Sequence, residues 1–358
     1  MSMTRETLKK EAQGLPLLPG VYLMRDALDN IIYIGKSKAL KNRVSSYFNS
    51  SKKPSKVERM VRHIDHFEVH YTDTELDALL LECKLIKMHR PIYNRLLKQD
   101  HRYCYLYLNT KEPRPRIRMV REQTHEGLYF GPYEKGYSLY HTVQEINDFY
   151  TLPDCKWQEI QANCLTYKRG KCLGPCKKPY DEEAFKKQLE AVCRFLEGEE
   201  LEIISHYKRQ MEEDALKLDF EQAMRYKATW EALKSLHSKQ EAMEFALSSR
   251  ITLLKQPCPR GGEKLWVWLG AKKIWSKIIK EPLESQGLDE LLEEVIKTYT
   301  KKSSEPLSSL RKEEIDEVQI LYSMLKKQPE KYLQSFMASG KLTKDQERIK
   351  EALRELIG

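Results

Sequence analysis

The sequence contains no run of roughly eighteen or more apolar residues, which excludes a membrane-spanning helix. Its opening, MSMTRETLKK, has no apolar stretch, so no secretory signal is expected and the chain reads as cytoplasmic. No unit of about 20–50 residues repeats, which removes solenoids and propellers. Collagen-like, coiled-coil-only and fully disordered readings fail on composition: hydrophobic residues make up 41% and charged residues 32% of 358 positions. That length holds two or three modules. Acid falls short of base, 53 Asp+Glu against 62 Lys+Arg, for a net charge of +9. Where the excess sits matters more than its size.

The basic charge is gathered near the front. From 36 to 62 run Lys36, Lys38, Lys41, Arg43, Lys52, Lys53, Lys56, Arg59 and Arg62, opposed only by Glu58. Lys84, Lys87, Arg90, Arg95, Lys98 and Arg102 follow. Such a field suits a polyphosphate partner, and a solvated basic face is the plainer alternative. Residues 21–25 and 31–35 are short β-type runs around a turn, hence a hairpin. Helices are expected from Lys38 to Phe48 and over 54–64, and a third strand over 67–71. Thr72-Asp-Thr-Glu75 has the form of a capping box for a long helix that Pro91 stops. The first hundred residues thus predict a small α/β domain on a three-stranded antiparallel sheet. Residues 102–150 read as a β-rich piece with a helix near 136–149, and 181–245 as helical. The stretch from 246 reads as a hairpin around Gly270 with helices near 287–300 and 312–337. The fold class is α+β, with domains at 14–100, 101–180, 195–240 and 246–358.

Chemistry-bearing residues collect in the first domain. Tyr22 and Tyr33 fall on the two strands of one hairpin, and Lys36 follows. Arg43 and Tyr47, four apart, share a helix face. Glu82 sits in LLLECKLI, the one acid between Asp77 and Asp100. A carboxylate among apolar residues is costly unless a cation meets it, and a metal ion or a lysine would serve. Asn94 follows Pro91, where a loop can return it to the same face.

Four of the eight cysteines, Cys155, Cys164, Cys172 and Cys176, form a C-x8-C-x7-C-x3-C run. Without a secretory signal disulfides are not expected. Four thiolates can close a tetrahedral zinc site or hold an iron–sulfur cluster. Further on, residues to Lys217 and from Asp219 form an αα-hairpin, Asp219 being a good N-cap with Gln222 at the third helical position. Two amphipathic helices cannot enclose a core alone, so they need a second hairpin or another domain.

GVY and YIG at this spacing, with LPLLPGVYLMRD, IIYIGKSKALKNRVSSYF, LLLECKLIKMHRPIYNRLLKQD and the later YFGPY, resemble the GIY-YIG nucleases and, among them, the N-terminal half of the bacterial UvrC family. The resemblance implies a Mg²⁺- or Mn²⁺-dependent DNA endonuclease of nucleotide excision repair, cutting one phosphodiester on the 3′ side of a lesion. It implies Tyr22 as the group that activates water, with Tyr33 beside it. Lys36 would lower the tyrosine pKa or bind phosphate, and Arg43 and Tyr47 would hold the scissile phosphate. Glu82 would ligate the metal and Asn94 support it. Lys36, Lys38, Lys41, Arg43, Lys52, Lys53 and Lys56 are the candidate contacts to damaged double-stranded DNA. The cysteine run resembles that family's cluster, which implies iron–sulfur first and zinc second. The hairpin resembles the UVR motif, which implies a UvrB-type helicase as partner through Met211, Leu218, Phe220 and Met224. The family's RNase H-like domain and helix-hairpin-helix clamp find no counterpart, so a C-terminally truncated homologue with one catalytic centre is expected. Two rival readings are a non-catalytic adaptor for UvrB and DNA, and a UvrB-independent GIY-YIG nuclease. The acids at Glu290, Glu293, Glu294, Glu313, Glu314, Asp316 and Glu317 read as solvated faces, and Trp266, Trp268 and Trp275 as packing residues.

Overall fold

Ahead of the first strand lies a helix that the sequence did not announce, α1 (Arg5–Gly14), capped by Thr4, whose hydroxyl accepts from Thr7 N. Its Leu8 and Ala12 are buried. The structure is a computed structural model and describes residues 4–49, 53–94, 103–112, 114–152, 164–176, 181–280, 285–303 and 314–357. The chain forms two compact units, Met1–Gln99 with Phe245–Gly358, and Asp100–Glu244.

In the first unit, β1 (Gly20–Arg25), β2 (Ile31–Ser37) and β3 (His66–Tyr71) make an antiparallel sheet in the order β2-β1-β3. Asp26 closes the hairpin by accepting from Leu28 N and Asn30 N. The expected hairpin and third strand are both present. The central strand is buried on both faces. Tyr22 and Met24 face α1, α2 (Leu40–Phe48) and α3 (Ser55–Arg62). Val21 and Leu23 face α4 (Glu75–His89) through Ala78 and Ile86. The cap of α4 lies two residues on from the expected box. Thr74 accepts from Asp77 N at 3.2 Å and donates to the Asp77 carboxylate at 2.8 Å. Arg90, in the left-handed region at φ 47°, ends the helix before Pro91.

The second unit begins with β4 (Tyr103–Leu108), β5 (Arg118–Val120) and β6 (Leu128–Glu134), in the order β5-β4-β6, followed by α5 (Tyr137–Phe149). A single turn, α6 (Leu165–Lys168), precedes α7 (Glu182–Leu196), α8 (Glu202–Leu216) and α9 (Phe220–Leu247). One face of the sheet packs Leu106, Leu108 and Tyr133 against Ile146, Phe195 and Leu233.

The last segment joins the first unit. β7 (Arg250–Pro257), β8 (Glu263–Leu269) and β9 (Lys272–Ile279) precede α10 (Ser285–Ser303) and α11 (Ile315–Leu325). β10 (Leu333–Met337) and α12 (Leu342–Ile357) complete it, with strand order β10-β7-β8-β9. The helix expected over 312–337 therefore ends at Leu325. Residues 333–337 are a strand because they find a partner edge in β7. The three tryptophans are buried, Trp266 stacked on Trp268 at 5.8 Å between centroids. The acids of α10 and α11 are not all solvated. Asp316 pairs with Lys87 of α4 at 2.9 Å, and Glu294 accepts from Trp275 and Lys277.

Candidate active site

Two glycines permit the arrangement. Tyr22 lies opposite Gly35 across the β1–β2 ladder. A Cβ on Gly35 would stand 2.4 Å from the Tyr22 hydroxyl, and one on Gly20 would stand 2.3 Å from the His70 carbonyl. The bare backbone at Gly35 is thus the slot for the Tyr22 ring. Tyr22 donates to or accepts from Tyr47 at 2.8 Å. With Tyr33 they make a triangle of rings, centroids 5.8–6.3 Å apart. The Arg43 guanidinium lies 5.4 Å from the centre of the Tyr47 ring.

Glu82 approaches from α4. Its Oε1 accepts from the backbone N–H of Lys36 at 2.9 Å. Burial pushes its carboxyl above the ordinary value, against the pull of that N–H and of the Lys36 and Arg43 charges. Lys36 turns its ammonium away to Glu75, at 2.6 Å. Asn94 clamps the edge of β2: Oδ1 accepts from Ile34 N at 2.9 Å and Nδ2 donates to Ile34 O at 2.8 Å. That pins the peptide between Tyr33 and Gly35.

A cleft of about 580 Å³ is lined by Tyr33, Tyr47, Arg43, Glu82 and Asn94, with Lys53 and Lys56 at its edge. Tyr22 is fully buried and does not line it. Its phenol is raised well above 10, by burial first and then by Tyr47 and Tyr33. Tyr33 is pushed up to about 12, again by burial first. Arg43, rather than Lys36, is the cation that opposes both shifts. Of the candidate DNA contacts, Arg43, Lys53 and Lys56 reach the cleft. Lys36 is engaged with Glu75, Lys38 and Lys41 lie beyond the lining, and Lys52 falls outside the described residues. Ser46 and Tyr93 also line it, and sequence reading did not single them out. Ser46 is one turn on from Arg43, and Tyr93 adjoins Asn94, which are the signals that point to them.

A half-buried carboxylate, the phenols of Tyr33, Tyr47 and Tyr93, a guanidinium and two lysines therefore converge on one cleft, a set suited to a phosphate and a hard cation. Residues 18–95 match the UvrC-like GIY-YIG domain. Residues 103–195 match the middle domain of the UvrC/Cho excinucleases. UvrABC system protein C of Acetivibrio thermocellus is 36% identical over 329 residues, 89% of this chain and 52% of that protein. The same-named protein of Alkaliphilus oremlandii is 41% identical over 247 residues, 67% of this chain and 40% of that one. The chain carries a UvrC-like GIY-YIG domain followed by a UvrC-type middle domain. It spans two fifths to about half the length of these UvrC relatives. The GIY-YIG N-terminal endonuclease domain of UvrC from Thermotoga maritima, solved with magnesium as its catalytic divalent cation, is 39% identical. It covers 26% of this chain and all of that one, with a TM-score of 0.24.

The cysteine run and the helical hairpin lie in the second unit. Cys155 falls outside the described residues. Cys164 precedes α6, Cys172 is buried and accepts from Gly174 N at 3.3 Å, and Cys176 follows. Among the described residues no disulfide forms, and no three His, Cys, Asp or Glu side chains stand together as a metal-binding group. The hairpin of α8 and α9 is built as expected, with Asp219 accepting from Gln222 N at 3.2 Å. Its base joins the unit's core through Tyr207, Leu233 and Leu236. At its tip Leu218, Phe220 and Met224 are exposed, while Met211 is half-buried. Among the described residues no helix is long and apolar enough to cross a membrane.

Proposed function

We propose that this chain is a divalent-metal-dependent DNA endonuclease that hydrolyses one phosphodiester near a lesion, on its 3′ side, in UvrB-dependent excision repair in the cytoplasm. The observation that carries the reading is the convergence of Glu82, Arg43 and the tyrosines on one cleft. The donor set fits Mg²⁺ or Mn²⁺. Glu82 offers a hard carboxylate with one oxygen engaged by Lys36 N, among apolar walls that raise the cost of its charge. An ion held by a single carboxylate keeps its remaining positions for water and phosphate, as magnesium does. When bound, it supplies Lewis acidity at a phosphate oxygen.

The chain's own residues do the rest. Arg43 neutralises the charge that builds on the phosphate. Tyr33, a half-buried phenol that lines the cleft, takes the proton of the attacking water in its phenolate form, which the Arg43 charge favours. Tyr22 holds Tyr47 through their hydroxyls, a positioning role that differs from the one its place in the motif implied. Lys36 orders Glu82 through its backbone and α4 through its ammonium. Asn94 fixes Tyr33 by clamping the next peptide. Lys53 and Lys56 meet flanking phosphates.

The hairpin tip is proposed as the UvrB-type contact, since four apolar side chains there, Leu216, Leu218, Phe220 and Met224, stand more than half exposed. The four cysteines are proposed as ligands of an iron–sulfur cluster, with zinc as the alternative. The N–H of Gly174 on Cys172 is a bond that a cluster thiolate accepts. Brown colour and absorbance near 400 nm in protein purified without oxygen support the cluster, whereas a colourless, zinc-stoichiometric preparation refutes it.

The deciding experiment is Mg²⁺-dependent nicking of an end-labelled lesion duplex, with and without UvrB. Wild type is expected to cut once and Glu82→Ala not at all. If the pure variant nicks as fast as wild type, Glu82 is not the metal ligand. If wild type binds DNA and UvrB yet never cuts, the adaptor reading holds.

A further inference from the structure

The α4 helix is apolar almost all round because it is covered on two sides. Ala78 and Ile86 face the β1–β2 sheet. Leu76 and Leu80 pack against Trp266, Leu321 and Leu325 of the C-terminal segment. The same segment also grips the helix by charge at both ends. Lys264 of β8, only 13% exposed at its side chain, donates to Asp73 at 2.8 Å and to both oxygens of Asp77 at 3.0 and 2.9 Å. Asp316 of α11 meets Lys87 at 2.9 Å, both 16% exposed.

These grips stand in a simple relation to Glu82. Asp77 and Lys87 lie five residues before and five after it. At 3.6 residues per turn, each is rotated about 140° from Glu82 around the helix axis, in opposite senses. The bisector of the two grips therefore points about 180° from the carboxylate. Two anchors about 15 Å apart on the back of a helix fix both its rotation and its slide. A change in either moves Glu82 relative to Arg43 and the phenols. The first anchor is linked to the site by a second route. Asp77 also engages the cap at Thr74, the next residue Glu75 holds the Lys36 ammonium, and Lys36 N holds Glu82 Oε1.

We infer that Lys264, in a segment with no other assigned task, is a positioning residue for the metal ligand Glu82, acting through the Asp73–Asp77 end of α4, with the Asp316–Lys87 pair as its counterpart at the far end. The inference rests on the proposal that Glu82 ligates the divalent ion. It makes the C-terminal segment part of the nuclease rather than an appended module. Loss of a partner that orients a ligand weakens metal affinity by about 10–100-fold, and the indirect route here places Lys264 at the lower end.

The test uses the full chain and Mg²⁺ alone as the probe. Calorimetry measures Mg²⁺ binding to wild type, Lys264→Met, Lys264→Arg and Glu82→Ala, and nicking is titrated with Mg²⁺ in parallel. Lys264→Met is expected to weaken Mg²⁺ binding about tenfold. Its Mg²⁺ requirement for nicking should shift by the same factor, its rate at saturating Mg²⁺ should stay near wild type, and its KM for DNA should not move. Lys264→Arg should restore most of the affinity. Wild-type affinity in Lys264→Met overturns the inference. If Lys264→Met does not fold, Asp316→Asn takes its place with the same expected direction, and unchanged affinity there overturns it equally. Wild-type Mg²⁺ binding by Glu82→Ala would instead overturn the underlying reading of Glu82.

Discussion

Residue 35 shows how little room the site leaves. A single methyl there would meet the Tyr22 hydroxyl at 2.4 Å and its ring at 2.5 Å. The ring has no free space to retreat into, because Tyr22 is fully buried among Met24, Val44 and Phe48. Gly35→Ala is therefore expected to push Tyr22 off Tyr47 and to cut nicking about 100-fold, with a smaller effect on DNA affinity. Equal rates for the two chains would show that the phenol pair does not position the chemistry. Glu82 makes a second statement at this scale, through pH. Its pKa is raised in the folded chain, by burial above all. Stability from this group is full below the unfolded-state pKa and is lost as pH rises through the folded one. The metal-free chain should thus lose thermal stability between acid and neutral pH, and Glu82→Gln should lose less. Bound Mg²⁺ requires the ionised form, so it should raise the wild-type midpoint more at neutral than at mildly acidic pH. An equal rise at both would exclude this carboxyl as the ligand.

Among the elements, the α8–α9 hairpin divides its apolar surface between two uses. Tyr207, Leu233 and Leu236 at the base are buried in their own unit, while Phe220 at the tip is 61% exposed. Phe220→Ala removes no core contact, so its thermal midpoint should match wild type while affinity for UvrB falls at least several-fold, measured by surface plasmon resonance. Unchanged affinity would dismiss the tip as the contact. This hairpin was legible because Asp219 and Gln222 mark its turn by local chemistry. The β1–β2 hairpin and α2 were legible for the same kind of reason: alternation, a turn rich in Asp and Asn, and spacing of apolar residues. What escaped depends on distant partners. β10, LQSFM, carries no clear alternation and is a strand because β7 lies beside it. β7 itself is a short apolar run, a pattern that a buried helix segment shares. Asp316 looks like a surface acid until α11 is laid against Lys87. Within the site, residue types were legible and their orientations were not. Nothing in the order of residues shows that the Lys36 ammonium turns to Glu75, or that Tyr33 rather than Tyr22 lines the cleft.

For the molecule as a whole, a net charge of +9 is small against 358 residues, so its distribution decides what it attracts. Nine basic residues stand against one acid between 36 and 62. Folding then spends part of that excess internally, because Lys36 is matched by Glu75. Arg43, Lys53 and Lys56 line the cleft, the two lysines donating to the backbone carbonyls of Asn49 and Tyr93. Three phosphate contacts release counterions with a slope of about −0.9 per contact in log affinity against log salt. Between 50 and 200 mM salt, DNA affinity should therefore fall roughly 40-fold or more. Lys53→Ala should make that slope shallower by about one. A direct titration by fluorescence anisotropy distinguishes the cases. An affinity that is flat over this range would mean that the basic face is only a solvated surface. A steep slope unchanged in Lys53→Ala would mean that the duplex lies elsewhere on the molecule, away from the carboxylate and the phenols.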